Sequence, residues 1–459
     1  MTTSETAGSE ASIVVESRDD LVAYLEQGCK PPAAWRIGAE HEKFAFDLKT
    51  LRRLPYSGDG PCIRSVLEFL VAEGWSPIQE RGVLIGAVDP TGAALSLEPG
   101  GQVELSGAPL PTLHDTCAEV NCHLEMMRRA GAEIGAGMIG VGFDPLWRRE
   151  EVPWMPKQRY AIMRAWMPQR GTLGLDMMLR TCTVQVNLDF ESETDMRRKM
   201  RVGMALQPLA TALFACSPFR EGRPNGWLSW RSQCWTDTDL DRCGLLGFAL
   251  EDGFGFERWV DYALDVPMYF VHRGDDYLNV AGRSFRDFME GRLPELPGQR
   301  PTIADWTDHL STAFPEVRLK RFLEMRGADA GPWRALCALP AFWTGLLYDR
   351  RALDEAEALT AEWTLADLEA LRTEGARQGL QATIRRQSLQ AVARTALEIA
   401  RGGLERRDRR NALGHTEAVF LDPLHRIVES GETLAETFLK AYHGPWAGDV
   451  TRLYSDYCY

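Results

Sequence analysis

Carboxylate side chains alternate along short segments that have the composition of β-strands. Glu40 and Glu42 are two residues apart, so a strand would point both of them to one face. Glu98 precedes a Pro-Gly-Gly turn at 99–101, and Glu104 follows that turn. Carboxylates placed side by side repel each other unless a cation offsets their charge. Hard divalent cations such as Mg²⁺ take oxygen ligands of this type, so the pattern predicts a cation site.

Two further segments show the same alternation. Gln185 lies on the polar side of an alternating segment at 181–190, and Glu324 shares a face with Arg326 at 323–327. For any one strand, a solvated sheet face is the alternative interpretation. For four strands together, the repulsion between unbalanced carboxylates favours a binding site.

The overall charge limits the ligands that the protein can bind. Lys and Arg number 52 against 65 Asp and Glu, which gives a net charge of −13. This charge repels a polyphosphate backbone, so we expect no nucleic-acid partner. One small anionic ligand is still allowed where local arginines and a metal outweigh the global field. The sequence contains no G-x-x-x-x-G-K-[ST] loop, so other groups would have to hold a nucleotide.

The elements that position these residues are predicted to be an antiparallel sheet and helices. The composition, 45% apolar and 25% charged over 459 residues, is that of a globular protein. Only short Pro- and Gly-containing turns separate three of the strands, which predicts hairpins and the α+β class. The predicted strands are 35–46, 83–88, 93–98, 102–106, 138–143 and 181–190, and the first helices are 17–27 and 63–73.

The C-terminal hundred residues are predicted to be helical. From residue 353 onward, Ala, Leu, Glu and Arg recur at helical spacing, for example in a helix at 384–400. No linker separates this part, so we expect one catalytic domain at 17–459, with 350–459 mostly helical, behind a disordered lead at 1–16. Gln207 and Pro208 interrupt the most apolar stretch, which predicts a buried helix and no membrane span.

Several longer strings resemble the plant-type glutamate–cysteine ligases, a family also found in proteobacteria. The matching strings cover most of the chain from about residue 17. They are GAEHEK at 38–43, LEPGGQVELSGAP at 97–109, RTCTVQVN at 180–187, WTDTD at 235–239, DYALDVPMY at 261–269 and FLEMRGAD at 322–329.

The resemblance implies a fold and a reaction. The fold would be a curved antiparallel sheet that forms a half-open funnel surrounded by helices, related to glutamine synthetase. The reaction would join L-glutamate to L-cysteine with ATP and give γ-glutamylcysteine, the first step toward glutathione. No plastid-targeting extension precedes the matched strings, which predicts a bacterial, cytoplasmic member. A homodimer is left open.

The resemblance also implies roles for individual residues. Two or three Mg²⁺ ions, with ATP as co-substrate, would be held by Glu40, Glu42, Glu98, Glu104, Gln185 and Glu324. Arg326 would stabilise the transferring phosphoryl group. Arg326 and the metal ligand Glu104 are the predicted catalytic residues. The predicted substrate-binding residues are Arg231, Arg180, Tyr269 and Thr236. For each arginine, a structural ion pair is the alternative.

Two cysteines complete the set of predicted residues. The segments around Cys117 and Cys337 resemble those that carry a redox-active pair in the plant enzymes, which implies a reversible regulatory disulfide. The alternative is that both are small buried thiols. Two other functions stay open from the residues: a phosphotransferase like the guanidino kinases, and a redox-sensing nucleotide-binding protein without turnover.

Overall fold

One antiparallel sheet lies at the centre of the computed structural model, which describes residues 12–459. Its strand order is β14-β15-β7-β1-β5-β4-β3-β2, and β6 pairs with β1. These strands are β1 (Ile37–Asp47), β2 (Ser76–Glu80), β3 (Val83–Val88), β4 (Ala94–Leu97), β5 (Gln102–Ser106), β6 (Ala136–Ile139), β7 (Thr183–Leu188), β14 (Val317–Leu319) and β15 (Leu323–Asp329).

Short two-stranded pairings lie outside the main sheet. They are formed by β8 (Phe219–Arg220) with β9 (Arg223–Pro224), β10 (Cys243–Gly244) with β13 (Phe314–Pro315), β11 (Phe270–Arg273) with β12 (Asp276–Asn279), and β16 (Thr383–Ile384) with β17 (Gln387–Ser388).

Helices surround the sheet. In the first 349 residues they are α1 (Arg18–Glu26), α2 (Ile63–Ala72), α3 (Leu113–Ile134), α4 (Gln158–Trp166), α5 (Gly174–Arg180), α6 (Glu193–Leu213), α7 (Trp230–Trp235), α8 (Phe256–Asp265), α9 (Phe285–Met289), α10 (Ile303–Ser311), α11 (Trp333–Leu336) and α12 (Ala338–Leu347). The C-terminal part contains α13 (Arg350–Thr360), α14 (Leu365–Gln378), α15 (Leu389–Arg407), α16 (Asp422–Ser430), α17 (Leu434–His443) and α18 (Arg452–Tyr457).

The main hydrophobic core joins the sheet to the C-terminal helices. Val186 of β7, Leu209 of α6 and Leu371 of α14 are buried in the same cluster, together with Trp343 of α12. The helix α6 packs against both β15 and α14. The C-terminal helices therefore share one core with the strands that carry the candidate site.

The two sides of the central strand β1 differ in character. Glu40 and Glu42 point to the open side, whereas His41 and Lys43 lie in the interior on the other side. The Lys43 ammonium is 0% exposed and lies 2.9 Å from Nε2 of His123 on α3. It also donates a hydrogen bond to the carbonyl of Val103 at 3.1 Å. The inner side of β1 thus carries a buried polar cluster.

Most of the predicted elements are confirmed, and the differences have local causes. The predicted helix at 384–400 begins at Leu389, because Arg385 and Arg386 have positive φ angles and form the turn of the β16–β17 hairpin. The strand β2 was missed because it contains Pro77 and little alternation.

The structure describes only part of the N-terminal segment that was predicted to be disordered. Residues 1–11 of the predicted disordered lead lie outside the described residues. The amide of Val15 donates to the carbonyl of Pro301 at 2.8 Å, and the amide of Ile303 donates to the carbonyl of Ile13 at 2.9 Å. In residues 12–459, none of the helices has the length and apolar character that a membrane crossing requires.

Candidate active site

The polar face of the sheet forms the floor of a cleft with a volume of about 330 Å³. Glu40 and Glu42 of β1 and Glu104 of β5 line it, together with Glu98, which follows β4. The pairing of β1 with β5 puts Glu42 directly opposite Glu104. The sequence prediction that these carboxylates come together is therefore confirmed.

The carboxylates raise one another's pKa. Burial raises the pKa of Glu40 to about 7, and the negative charges of Glu324 and Glu104 add to this effect. The pKa of Glu42 is raised well above its usual value by burial and then by the charges of Glu98 and Glu104. Burial, followed by the charge of Glu98, also raises the pKa of Glu104. Each of these groups would be stabilised as an anion by a cation in the cleft.

This donor set fits a hard divalent cation. Oxygen ligands on neighbouring strands are the type that Mg²⁺ uses alongside phosphate groups. In residues 12–459, no three His, Cys, Asp or Glu side chains already form a closed ligand cluster. The metal-ligand roles therefore stay a prediction that rests on the chemistry of the donors and on their mutual repulsion.

Glu324 is placed differently from the other carboxylates. It is 0% exposed, and the Arg318 guanidinium donates to its Oε1 at 2.7 Å and to its Oε2 at 2.9 Å. The Lys320 ammonium lies 3.1 Å from Oε2, and Arg326 also donates to Oε1. Burial would raise the pKa of Glu324, but these three cations hold it well below its usual value. Glu324 is therefore an anion that organises cations along one wall of the cleft.

Arg326 lies between this wall and the floor of the cleft. Its Nη1 donates to Oε1 of Gln185 at 2.7 Å as well as to Glu324. The strand β15 positions it because Glu324 and Arg326 are two residues apart and face the same side. The structure thus brings the predicted residues Gln185, Glu324 and Arg326 together.

Arg231 is the predicted substrate-binding residue that lines the cleft. It lies on α7, a short helix that is capped by the Ser229 hydroxyl, which accepts from the amide of Ser232. Its Nη2 donates to the carbonyl of Arg326 at 2.9 Å, and its buried Nε has no hydrogen-bond partner among the described residues. Burial lowers the pKa of Arg231, so a bound anion would relieve an unfavourable environment.

The other predicted substrate-binding residues do not line the cleft. Arg180 pairs with Asp176 at 3.0 Å and with Glu221 at 3.3 Å. The guanidinium of Arg242 lies over the Tyr269 ring, and the Tyr269 hydroxyl points to the sulfur of Met167. The hydroxyl of Thr236 donates within its own turn. Their roles in substrate binding stay predictions.

Sequence reasoning missed three cations that line the cleft. They are Arg159, Arg318 and Lys320. Arg318 and Lys320 alternate in the segment before Glu324, so the period of two that located the carboxylates could also have located them. Arg159 lies on the helix α4, far from the matched strings, and no local pattern marks it.

Cys117 and Cys337 form a disulfide with a Cα separation of 5.8 Å, so the predicted pairing is confirmed. Cys117 lies on α3, and Cys337 lies between α11 and α12. The bond therefore links α3, the helix behind β1, to the start of α12.

Comparison with known proteins agrees with this geometry. The model of Glutamate–cysteine ligase family 2 (GCS2) matches residues 36–456. A chloroplastic glutamate–cysteine ligase of Brassica juncea is 54% identical over 452 residues, which cover 98% of this chain and 86% of the relative. Glutamate–cysteine ligase B of rice, Oryza sativa subsp. japonica, is 53% identical over 96% of this chain and 87% of its own length.

The fold is also shared with a solved structure. A glutamate–cysteine ligase from Francisella tularensis, solved in complex with AMP, superposes with a TM-score of 0.54 at 11% identity. The superposition covers 89% of this chain and 85% of that one. The shared feature is the fold of helices around an open antiparallel sheet, as the sequence resemblance implied.

The open antiparallel sheet around its carboxylate-lined cleft has the glutamine-synthetase-like fold. More narrowly, the chain belongs to the glutamate–cysteine ligase family 2. The resemblance of the sequence strings to the plant-type ligases is thereby confirmed.

Proposed function

We propose that this protein uses ATP to join the γ-carboxylate of L-glutamate to the amine of L-cysteine. The products would be γ-glutamylcysteine, ADP and phosphate. The observation that carries the proposal is the cleft in which opposed carboxylates of β1 and β5 face Arg326 and Arg231, in a chain 54% identical to a relative named for this activity.

The reaction requires that anionic substrates meet. A carboxylate is a poor acyl donor, so a γ-carboxylate oxygen of glutamate first attacks the γ-phosphorus of ATP and ADP leaves. The cysteine amine then attacks the carbonyl carbon of the acyl phosphate, the amine loses a proton, and phosphate leaves. In the proposed site, Arg326 donates hydrogen bonds to the transferring phosphoryl group.

Arg231 and Arg159 supply positive charge that is available to substrates. The buried Nε of Arg231 has no hydrogen-bond partner in residues 12–459, so Arg231 is the candidate for a substrate carboxylate. Arg159 lines the same cleft as Glu98. The two arginines would hold anionic groups in place while the carboxylates hold the cations.

We propose two or three Mg²⁺ ions, held by Glu40, Glu42, Glu98, Glu104, Gln185 and Glu324. To bind a metal ion, Glu324 would exchange part of its contacts with Arg318, Lys320 and Arg326. When bound, these ions would supply positive charge that offsets the negative charge of the phosphate groups. The AMP in the Francisella tularensis structure supports ATP as the co-substrate. We also propose that the protein is a cytoplasmic enzyme with small-molecule substrates and no nucleic-acid partner. Cell fractionation would test its location, and sedimentation would test whether it forms a homodimer.

The decisive experiment is a coupling assay with purified protein. We expect ADP release to require glutamate, cysteine and Mg²⁺ together, with γ-glutamylcysteine detected by mass spectrometry. EDTA should abolish turnover, and added Mg²⁺ should restore it. A sulfoximine analogue of the intermediate should be phosphorylated and inhibit tightly, because it resembles the tetrahedral transition state.

Two results would reject this function. A stable phosphorylated product without amide formation would indicate a phosphotransferase like the guanidino kinases. ATP binding without turnover would indicate a non-catalytic nucleotide-binding protein. Activity that survives complete chelation would reject the metal-ligand roles alone.

A further inference from the structure

A small cavity lies behind one wall of the cleft. Four of its residues also line the cleft, namely Arg231, Trp235, Phe314 and Arg326. Glu316 and Arg372 line the cavity but not the cleft. Its volume is about 10 Å³, which is at the lower limit for one water molecule. The charged groups around it are therefore close enough to act on one another with little water between them.

The backbone fixes Glu316 beside Arg326. Its amide donates to the carbonyl of Gly244 at 3.0 Å, and its carbonyl accepts from the amide of Arg326 at 3.1 Å. The side-chain amide of Gln207 donates to the same carbonyl at 2.9 Å. Glu316 thus has little freedom to move away from the cleft wall.

The carboxylate of Glu316 is paired with Arg372 of α14. The Nε of Arg372 lies 2.9 Å from Oε1 of Glu316, and the two side chains are 12% and 11% exposed. Because the pair is mostly removed from water, its charges are weakly screened. If Arg372 were lost, the Glu316 carboxylate would be buried without its counter-ion and would attract another nearby cation.

Arg231 is the cation that such a carboxylate would attract. The nearby negative charges that raise the pKa of Arg231, against burial, are those of Asp329, Glu42 and Glu316. Asp329 is already bound by the hydroxyls of two serines and by the amide of Cys216. Among the described residues, the carboxylate of Glu316 has the ion pair with Arg372 and no such set of hydrogen-bond donors.

We propose that Arg372 is a positioning residue that neutralises Glu316 and so keeps the Arg231 guanidinium available for the carboxylate of an amino-acid substrate. The inference rests on the proposed function, since it assigns Arg231 to a substrate carboxylate. Arg372 acts through Glu316 and belongs to the C-terminal helices, which makes the helical part of the chain contribute to substrate affinity.

The test is a double-mutant cycle with glutamate kinetics. Arg372→Gln should raise the KM for glutamate at least about tenfold, equivalent to about 1.4 kcal/mol, while kcat and the KM for ATP change much less. Glu316→Gln should leave the KM near the wild-type value. The double variant should return to within about threefold of wild type, because it leaves no unpaired carboxylate beside Arg231.

Two further variants serve as controls, one for substitution of an arginine on α14 and one for the charge at position 372. Arg377→Gln changes the same residue type on an exposed position of α14 and should match wild type. Arg372→Lys keeps the charge and should largely preserve the KM. If Arg372→Gln gives no folded protein, the double variant and Arg372→Lys still test the inference, since a tenfold or greater rise of the glutamate KM in either one overturns it.

The outcomes separate this inference from the proposed function. Wild-type protein that forms no dipeptide rejects the proposed function, whatever the variants do. With active wild type, an Arg372→Gln variant that matches Arg377→Gln overturns the inference. A double variant with a tenfold or greater loss overturns it as well.

Discussion

Glu42 and Glu104 face each other directly across two hydrogen-bonded strands, with Glu40 and Glu98 nearby. Like charges in such positions destabilise a sheet, and the pKa values of Glu40, Glu42 and Glu104 are raised, first by burial and then by the neighbouring carboxylates. The arrangement becomes favourable when cations bind. Stability and cation binding are therefore coupled at these residues.

Removing a single ligand charge should stop turnover without unfolding the protein. We expect Glu98→Gln and Glu104→Gln each to lower kcat on the order of 10²-fold or more at saturating Mg²⁺, because each keeps the shape but loses the charge. Steady-state kinetics and thermal unfolding measure the two effects. Near-normal rates in both variants would mean that the carboxylates only form a polar sheet face.

Asp47 provides the control for this pair. It ends β1, and one of its oxygens accepts hydrogen bonds from the amides of Lys49 and Thr50, each at 2.8 Å. An asparagine oxygen can accept the same two bonds. Asp47→Asn should therefore leave kcat within about twofold of wild type, in line with other surface substitutions.

Glu40 should make the metal-free protein less stable as the pH rises. Its pKa is raised to about 7 in the folded state, whereas an unfolded glutamate has a pKa of about 4.3. The folded state therefore binds the proton more tightly, and the destabilisation develops between about pH 4.5 and pH 7 and is complete above pH 7.

Replacing Glu40 with an uncharged residue should remove this dependence. In EDTA at pH 8, Glu40→Gln should have a higher Tm than wild type and a free energy of unfolding that is larger by on the order of 1–3 kcal/mol. The difference should shrink toward pH 5. Glu405→Gln, on an exposed position of α15, is the control. An equal difference at both pH values would contradict the assignment.

At the level of elements, α3 links the disulfide to the central strand. It carries Cys117, and six residues further along it carries His123, which contacts Lys43 on the inner side of β1. On the same helix, Glu119 accepts a hydrogen bond from the amide of Ala108, just after β5. Formation or reduction of the disulfide would thus act on a helix that contacts both β1 and the segment after β5, the two strands that carry Glu42 and Glu104.

Reduction of the disulfide should change both stability and activity. The bond closes a long loop, with a sequence separation of 220, so reduction should lower the free energy of unfolding by roughly 2–5 kcal/mol. We propose that it also changes turnover. A thiol reductant should alter activity in wild type but not in Cys117→Ser, and non-reducing peptide mapping should recover the Cys117–Cys337 peptide.

The control for this experiment is a cysteine that is not bonded. Cys122 is exposed on the same helix and free, so Cys122→Ser should respond to reductant as wild type does. Activity that is unchanged by reductant in wild type would remove the regulatory role and leave the ligase function intact.

The parts of the site that could be predicted from the sequence are those that depend on the two-residue alternation of side chains along a single strand. Glu40, Glu42, Gln185 and Glu324 were located because alternation along one strand is visible in the sequence. The inner cluster at Lys43 was not predicted, because an alternating strand is expected to bury apolar groups. Its ammonium is tolerated there because His123 and two carbonyls surround it.

Other features depend on pairing between distant segments and could not be read from local pattern. The ion pairs of Glu324 with Arg318 and Lys320 form only when β14 and β15 are adjacent. Arg159 lines the cleft only because α4 lies across the sheet. The half-open sheet itself came from the resemblance to a family and not from periodicity. Long-range pairing of this type has no short signature in a single sequence.

At the scale of the whole molecule, we propose that residues 17–459 fold as one catalytic domain. The C-terminal residues Leu353, Leu368 and Leu397 are buried in the same core as Val186 of β7. Arg372 reaches the cleft wall from the same part of the chain. The helical part therefore completes both the core and the site.

A chain truncated after residue 349 should fail to fold. It would expose the apolar surface that the helices from α13 onward cover, which is more than a domain of marginal stability can lose. Circular dichroism should show no cooperative thermal transition, in contrast to the full chain. A cooperative transition in the truncated chain, with glutamate binding retained, would indicate two separable domains.

The order of the strands has a consequence for how the enzyme reaches its active form. The strand β1 pairs with β7, and β7 pairs with β15, so the floor of the cleft joins segments that are far apart in the chain. Such pairings carry a high loop-closure cost and form slowly. During refolding from urea, helical signal should therefore return before catalytic activity, and activity should follow the slowest phase. Cells that make this protein would then contain newly synthesised chains that already have helices but are not yet able to bind substrate.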